Sequence, residues 1–109
     1  MRRGDIYWIN LEPASPPEFG KVRPAVIVSN SEQNLVLSSV VVLPVSSRPP
    51  EIWPLRIELP VSISKAKQSF AVVPGIRQVS KSRLLEPIVS LPELTLKALT
   101  DALVLYLGE

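Results

Sequence analysis

The chain has 109 residues and a net charge of +2, and it contains neither cysteine nor histidine. Those absences exclude disulfide frameworks, thiolate nucleophiles and zinc–cysteine sites, together with the usual neutral-pH general base and the commonest metal ligand. At 46% hydrophobic and 20% charged, residues 1–109 carry enough apolar side chain for one packed domain.

Twelve prolines forbid long helices through most of the chain and favour short strands separated by turns. Asp5 to Leu11 is rich in aromatic and β-branched residues and reads as a first strand. Glu12 to Lys21 follows as a proline-rich loop, long enough in so small a domain to suggest function. Ala25 to Val28 is a continuous apolar run, as expected of a buried strand, and Val36 to Val45 is a longer one. Ser46-Ser47-Arg48-Pro49-Pro50 breaks that strand. Leu55 to Leu59 alternates apolar and charged residues, as a half-solvated strand should. Phe70 to Val73 and Ile76 to Val79 read as two short strands split by Pro74-Gly75. Ser80 to Leu84 suggests a single helical turn, and Pro87 to Val89 a last strand.

The period then changes. Ser90 and Glu93 have the spacing of a capping box, with Pro92 in the first turn where its missing N–H costs nothing. Leu91, Leu94, Ala98, Leu99, Ala102, Leu103 and Tyr106 form an apolar stripe at helical spacing, Glu93 and Lys97 an i, i+4 pair, and Gly108 a stop. Six or seven short strands and a terminal helix describe a mainly β domain, a small curved antiparallel barrel with a helix packed on it. Trp8, Trp53, Tyr7 and Tyr106 are expected in the core or at an interface between copies of the chain.

Five stretches, in order and spanning nearly the whole chain, carry a resemblance. They are Arg3 to Pro13, Glu18 to Asn30 with its Arg23-Pro24 pair, Val42 to Ser47, Ile76 to Leu84, and the closing helix ending Leu107-Gly108. Together they resemble the MazF/PemK toxin family. The resemblance implies an SH3-like barrel of the CcdB/PemK type, a homodimer, and metal-independent, sequence-specific cleavage of single-stranded RNA. It also implies a cognate antitoxin whose disordered acidic segment blocks the cleft. The composition agrees, because RNA supplies its own nucleophile, the 2′-OH. An enzyme then needs only to align that hydroxyl and stabilise the pentacoordinate charge, for which a guanidinium and a hydroxyl donor suffice. The products would be a 2′,3′-cyclic phosphate and a 5′-OH, with no cofactor and no metal.

By that resemblance Arg23 and Ser46 are the expected catalytic pair. Pro24 biases Arg23 toward extended backbone, and arginine's high pKa suits it to clamping phosphate before donating protons. Ser46, with Ser47 beside it, could donate to a non-bridging phosphate oxygen or bond its own backbone in a turn. Glu18 could act as a base or hold the loop's shape; Lys21 and Arg77 could meet the RNA backbone. Phe19 stands where the family usually has glutamine, and would either stack on a base or cover the barrel. Pro74 and Gly75 replace an acidic residue and a glutamine that many members carry.

Two other functions remain open. A CcdB-like poison of DNA gyrase shares the fold, but relies on a tryptophan-containing C-terminal end, whereas this chain finishes Tyr106-Leu107-Gly108-Glu109. A catalytically degenerate module that binds RNA or antitoxin would account for Phe19 and Pro74-Gly75. The longest uncharged apolar stretch, Leu35 to Ser47, is too short and serine-rich to cross a bilayer. No basic segment followed by an apolar one opens the chain, so a cytoplasmic protein without a membrane partner is expected.

Overall fold

The computed structural model describes residues 1–48, 55–60 and 68–108; Pro49, Pro50 and Trp53 lie outside them. In chain order the elements are β1 (Asp5–Asn10), β2 (Val22–Ile27), α1 (Ser31–Val36), β3 (Ser39–Ser46), β4 (Arg56–Glu58) and β5 (Phe70–Val72). A 3₁₀ turn at Val73–Gly75 leads to β6 (Arg77–Ser80), a second at Lys81–Arg83 leads to β7 (Leu84–Ser90), and α2 (Glu93–Leu107) closes the chain.

The seven strands form one antiparallel sheet in the order β4-β5-β3-β2-β1-β7, with β6 also paired to β3. Strand β3 organises it. Ser39 to Val42 pair with β6, Val42 to Pro44 with β2, and Val45 and Ser46 with β5. A single strand serving three partners must twist along its length; the strand path runs from β4 to β7 without closing, so the sheet is open rather than a closed barrel.

Alternation along β2 and β3 buries both faces. Val26 and Leu43 join Ile6, Leu99 and Ala102 in a core beneath α2. Ala25, Ile27, Val40 and Val42 join Ile9, Leu11 and Val79 in a second core, against which Tyr7, Phe19 and Leu84 pack. That is why these strands read as continuous apolar runs. Gly4 sets the N-terminal end against α2. Its φ is +95°, a conformation that favours glycine, and a Cβ there would lie 2.8 Å from Leu96 Cδ1, so a side chain would be strained and would push Leu96 aside.

The structure departs from the sequence reading in four places. Residues Ser31–Val36, of which the sequence reading assigned only Val36, are helical, and the third strand begins at Ser39 rather than at Val36. Asn30 caps that helix, its side chain accepting from the N–H groups of Glu32 and Gln33. Ser90 does not cap α2. It ends β7 and donates to Asp5 Oδ1 at 2.7 Å, leaving Pro92 as an N-cap with no side-chain bond. Lys97 pairs with Asp101 at 3.1 Å rather than with Glu93. The buried face of α2 carries Leu99 and Ala102, with Leu96 and Leu103 packed beside them. Leu94 is 84% exposed, and Ala98 and Tyr106 also face outward. Of the other aromatics expected in the core or at an interface, Tyr7 and Trp8 are half-buried.

No helix among the described residues is long and apolar enough to cross a membrane.

Candidate active site

The site forms where the central ladder stops. Strands β2 and β3 pair through Ile27↔Val42, Val26↔Leu43 and Ala25↔Pro44, and pairing goes no further. The next residue of β2 is Pro24. Pro24 has no N–H to donate to β3, so the ladder ends for a covalent reason. Carrying the register on by two places sets Arg23 opposite Ser46. Opposed residues of an antiparallel pair share a face, so both side chains emerge on the side of Ala25 and Pro44.

The other edge of β3 adds a third group. Val45 pairs with Ala71 and Ser46 with Phe70, while Arg56 of β4 pairs with Val72. One step back along that register, Val72 meets Pro44. Arg56 therefore shares the face of Ser46, and its Nη1 donates to Ser46 Oγ at 3.0 Å. The same nitrogen donates to the Arg48 carbonyl at 3.2 Å, and the Arg48 N–H donates to Ser46 Oγ at 3.1 Å.

Phe19 links the two halves. The Arg23 guanidinium carbon lies 4.8 Å from the centre of the Phe19 ring, and that of Arg56 5.9 Å from it; both are within cation–π range. Arg23 Nε also donates to the Gly20 carbonyl at 3.1 Å, which holds the side chain against the loop. Burial pushes the Arg23 pKa below the ordinary arginine range. Arginine's starting value is so high that the group stays a cation at neutral pH.

Beside this group lies a cleft of about 450 Å³, lined by Pro17, Glu18, Phe19, Leu55, Val72, Pro74, Gly75 and Ile76 together with Arg48, Arg56 and Arg77. Three arginines against one carboxylate make it electropositive. Neither Arg23 nor Ser46 lines the cavity itself; each touches a residue that does, Arg23 the Phe19 ring and Ser46 the Arg56 guanidinium. Glu18 is turned to the loop itself: its carboxylate accepts the Ser15 N–H at 2.8 Å, and its own N–H donates to the Ser15 carbonyl at 2.8 Å. Arg77 reaches the cleft, but its Nη1 donates to the Leu11 carbonyl at 3.1 Å. Lys21 and Ser47 are exposed and do not line the cavity. Among the described residues no three carboxylates gather as metal ligands would.

Comparison with known proteins gives the family. The model of the PemK-like, MazF-like toxins of type II toxin–antitoxin systems matches residues 2–107. The chain belongs to that family. It is similar to the Endoribonuclease MazF9 of Mycobacterium tuberculosis, at 33% identity over 113 residues that cover 98% of this chain and 96% of that protein. Its fold is similar to that of MazF from Deinococcus radiodurans, with a TM-score of 0.85 and 25% identity, covering 100% of this chain and 97% of the other. It is also similar to a MazE–MazF structure from the same organism, with a TM-score of 0.78 and 25% identity, covering 99% of this chain and 96% of that one.

Within the PemK/MazF frame, one of the departures noted in the sequence, Gly75, has a packing reason. A Cβ on Gly75 would lie 2.6 Å from Pro44 Cγ, 2.8 Å from Pro44 Cδ and 3.7 Å from Phe19 Cδ1. Position 75 is small because Pro44 occupies the space, while Phe19 lies at ordinary contact distance. Arg48 and Arg56 were missed as site residues. Arg56 falls on the charged phase of an alternating strand, and that pattern is the same whether the charge meets solvent or a neighbouring strand.

Proposed function

We propose that this chain is an endoribonuclease toxin that cuts single-stranded RNA without a metal, by attack of the substrate's 2′-OH on the adjacent phosphate. Arg23 clamps the non-bridging oxygens, Ser46 donates its hydroxyl to them, and the products are a 2′,3′-cyclic phosphate and a 5′-OH. The observation that carries this reading is the emergence of Arg23 and Ser46 from neighbouring strands on one face, beside an arginine-lined cleft. A dianionic pentacoordinate phosphorane needs cationic and hydroxyl donors aimed from a fixed scaffold, and these strands supply both. Phe19 offers an apolar platform in that cleft for an unstacked base. Glu18 shapes the loop, and Lys21, Ser47 and Arg77 contribute charge or hydrogen bonds around the substrate backbone.

The cleft's positive lining also suits an antitoxin with an acidic segment that orders on binding; the relative from D. radiodurans forms a MazE–MazF complex. The toxin is a single domain over residues 1–109, acts in the cytoplasm and pairs with a second copy of itself. Val104, Leu105 and Leu107 leave about two-thirds of their surface exposed on α2, which favours such pairing. The decisive experiment incubates antitoxin-free protein with a defined transcript in EDTA and maps the ends. Cuts bearing 2′,3′-cyclic phosphate and 5′-OH termini are expected; cutting that needs added magnesium would overturn the mechanism.

A further inference from the structure

The structure assigns Arg56 a role of its own: it is the positioning residue that makes Ser46 a hydrogen-bond donor. This deepens the nuclease reading and rests on it for its catalytic consequence.

A serine hydroxyl has one proton and two acceptor lone pairs, and its rotor is normally free. Ser46 Oγ accepts from Arg56 Nη1 at 3.0 Å and from the Arg48 N–H at 3.1 Å. With both acceptor sites engaged, its proton is directed away from them, and the hydroxyl can meet an incoming phosphate oxygen only as a donor. The guanidinium bond is charge-assisted and draws electron density from the oxygen, which strengthens that donation. Arg56 is itself anchored by the Arg48 carbonyl at 3.2 Å and lies over the Phe19 ring. Its position comes from β4 pairing with β5 and β5 with β3, the strand that carries Ser46.

The test uses the absence of cysteine from this chain. In Ser46→Cys the sole thiol occupies the hydroxyl's place, and its alkylation by iodoacetamide across a pH series reports its pKa without any RNA. Next to Arg56 that pKa should fall ~1 unit or more below the ordinary ~8.5 of a free thiol. It should move back toward that value in Ser46→Cys/Arg56→Met. Arg23 and Arg48 remain in both proteins, so the difference reads Arg56. Identical alkylation profiles with and without Arg56 would overturn the assignment.

Cleavage supplies the second arm. Arg56→Met should lower kcat by roughly tenfold or more, short of the ~10²–10³ typical of deleting a donor outright, with little change in KM, and Arg56→Lys should recover part of the loss. In a Ser46→Ala background the same Arg56→Met change should have no further effect. An equal loss in both backgrounds would mean that Arg56 acts independently of Ser46, which also overturns the proposal. If the unsubstituted protein leaves RNA intact, the nuclease reading fails, and the thiol titration still decides whether Arg56 holds position 46.

Discussion

The middle and the end of the β2–β3 pair are made from the same two strands, yet they do opposite things. From Ala25 to Ile27, against Val42 to Pro44, the backbone satisfies itself, the side chains are apolar and every residue is buried. Two residues further on, past Pro24, the ladder has stopped and the side chains are an arginine and a serine. Their polar atoms are held by the Gly20 carbonyl, the Arg48 N–H and the Arg56 guanidinium. Past Pro24 the two strands keep their outer partners, Arg23 opposite Ile9 and Ser46 opposite Phe70, but no longer pair with each other. The gap between them is filled by side chains, which can also engage a ligand. Stability and chemistry are thus separated by two residues rather than by two domains.

That separation can be broken from either side. Arg23→Ala should reduce RNA cleavage by ~10²–10³ while leaving the thermal melt close to that of the unsubstituted protein; cleavage at the original rate would remove Arg23 from the site. Leu43→Ala, at a position with no exposed surface, should do the reverse. It should cost ~2–5 kcal/mol in urea unfolding, with cleavage per folded molecule unchanged at low temperature. A loss of kcat in that variant would show that the paired region and the site are not separate.

Two changes in the loops sharpen the picture. Gly75→Gln restores a residue type many relatives carry, but its side chain must displace Pro44. It should destabilise the chain by ~1–3 kcal/mol, and a melt at or above the original would show that Pro44 yields easily. Lys21 has a φ of 64°, a conformation that costs a side-chain-bearing residue roughly 1–2 kcal/mol. It is held there as its N–H donates to Glu12 Oε1 and its carbonyl accepts from Leu11 N–H. Lys21→Gly should therefore raise the melting temperature slightly, so any fall in cleavage reports the lost ammonium. An unchanged cleavage rate would show that Lys21 does not meet RNA.

How much of this was legible in the sequence depended on the range of the interaction involved. The strands from Asp5 and Ala25, the short pieces either side of Pro74-Gly75 and the terminal helix followed from period and turn chemistry. The helix at Ser31–Val36 did not. Its cap is an ordinary Asn30, its outward residues Leu35 and Val36 are apolar, and the run merges with the next strand's valines. Ser90 looked like a cap because its spacing to Glu93 is right, but Asp5, 85 residues away, competes for the same hydroxyl. The α2 stripe was misjudged through Leu94 and Tyr106, since a helix apolar on more than one side does not announce which side meets the sheet.

The site divided in the same way. Arg23 and Ser46 were expected in the site only through the family resemblance; local context alone fits a solvated arginine and a turn serine equally well. Their approach, the turning of Glu18 to its own loop, and the entry of Arg48 and Arg56 could not be read from either. By itself the sequence determined a cysteine-free, histidine-free, mainly β chain whose chemistry must rest on arginine, lysine, hydroxyls, isolated carboxylates or the substrate's own groups, because composition and local periodicity are properties of neighbours along the chain. Only the tertiary structure decided which arginine holds the serine, because that depends on strand register, and register is set by how two distant faces pack.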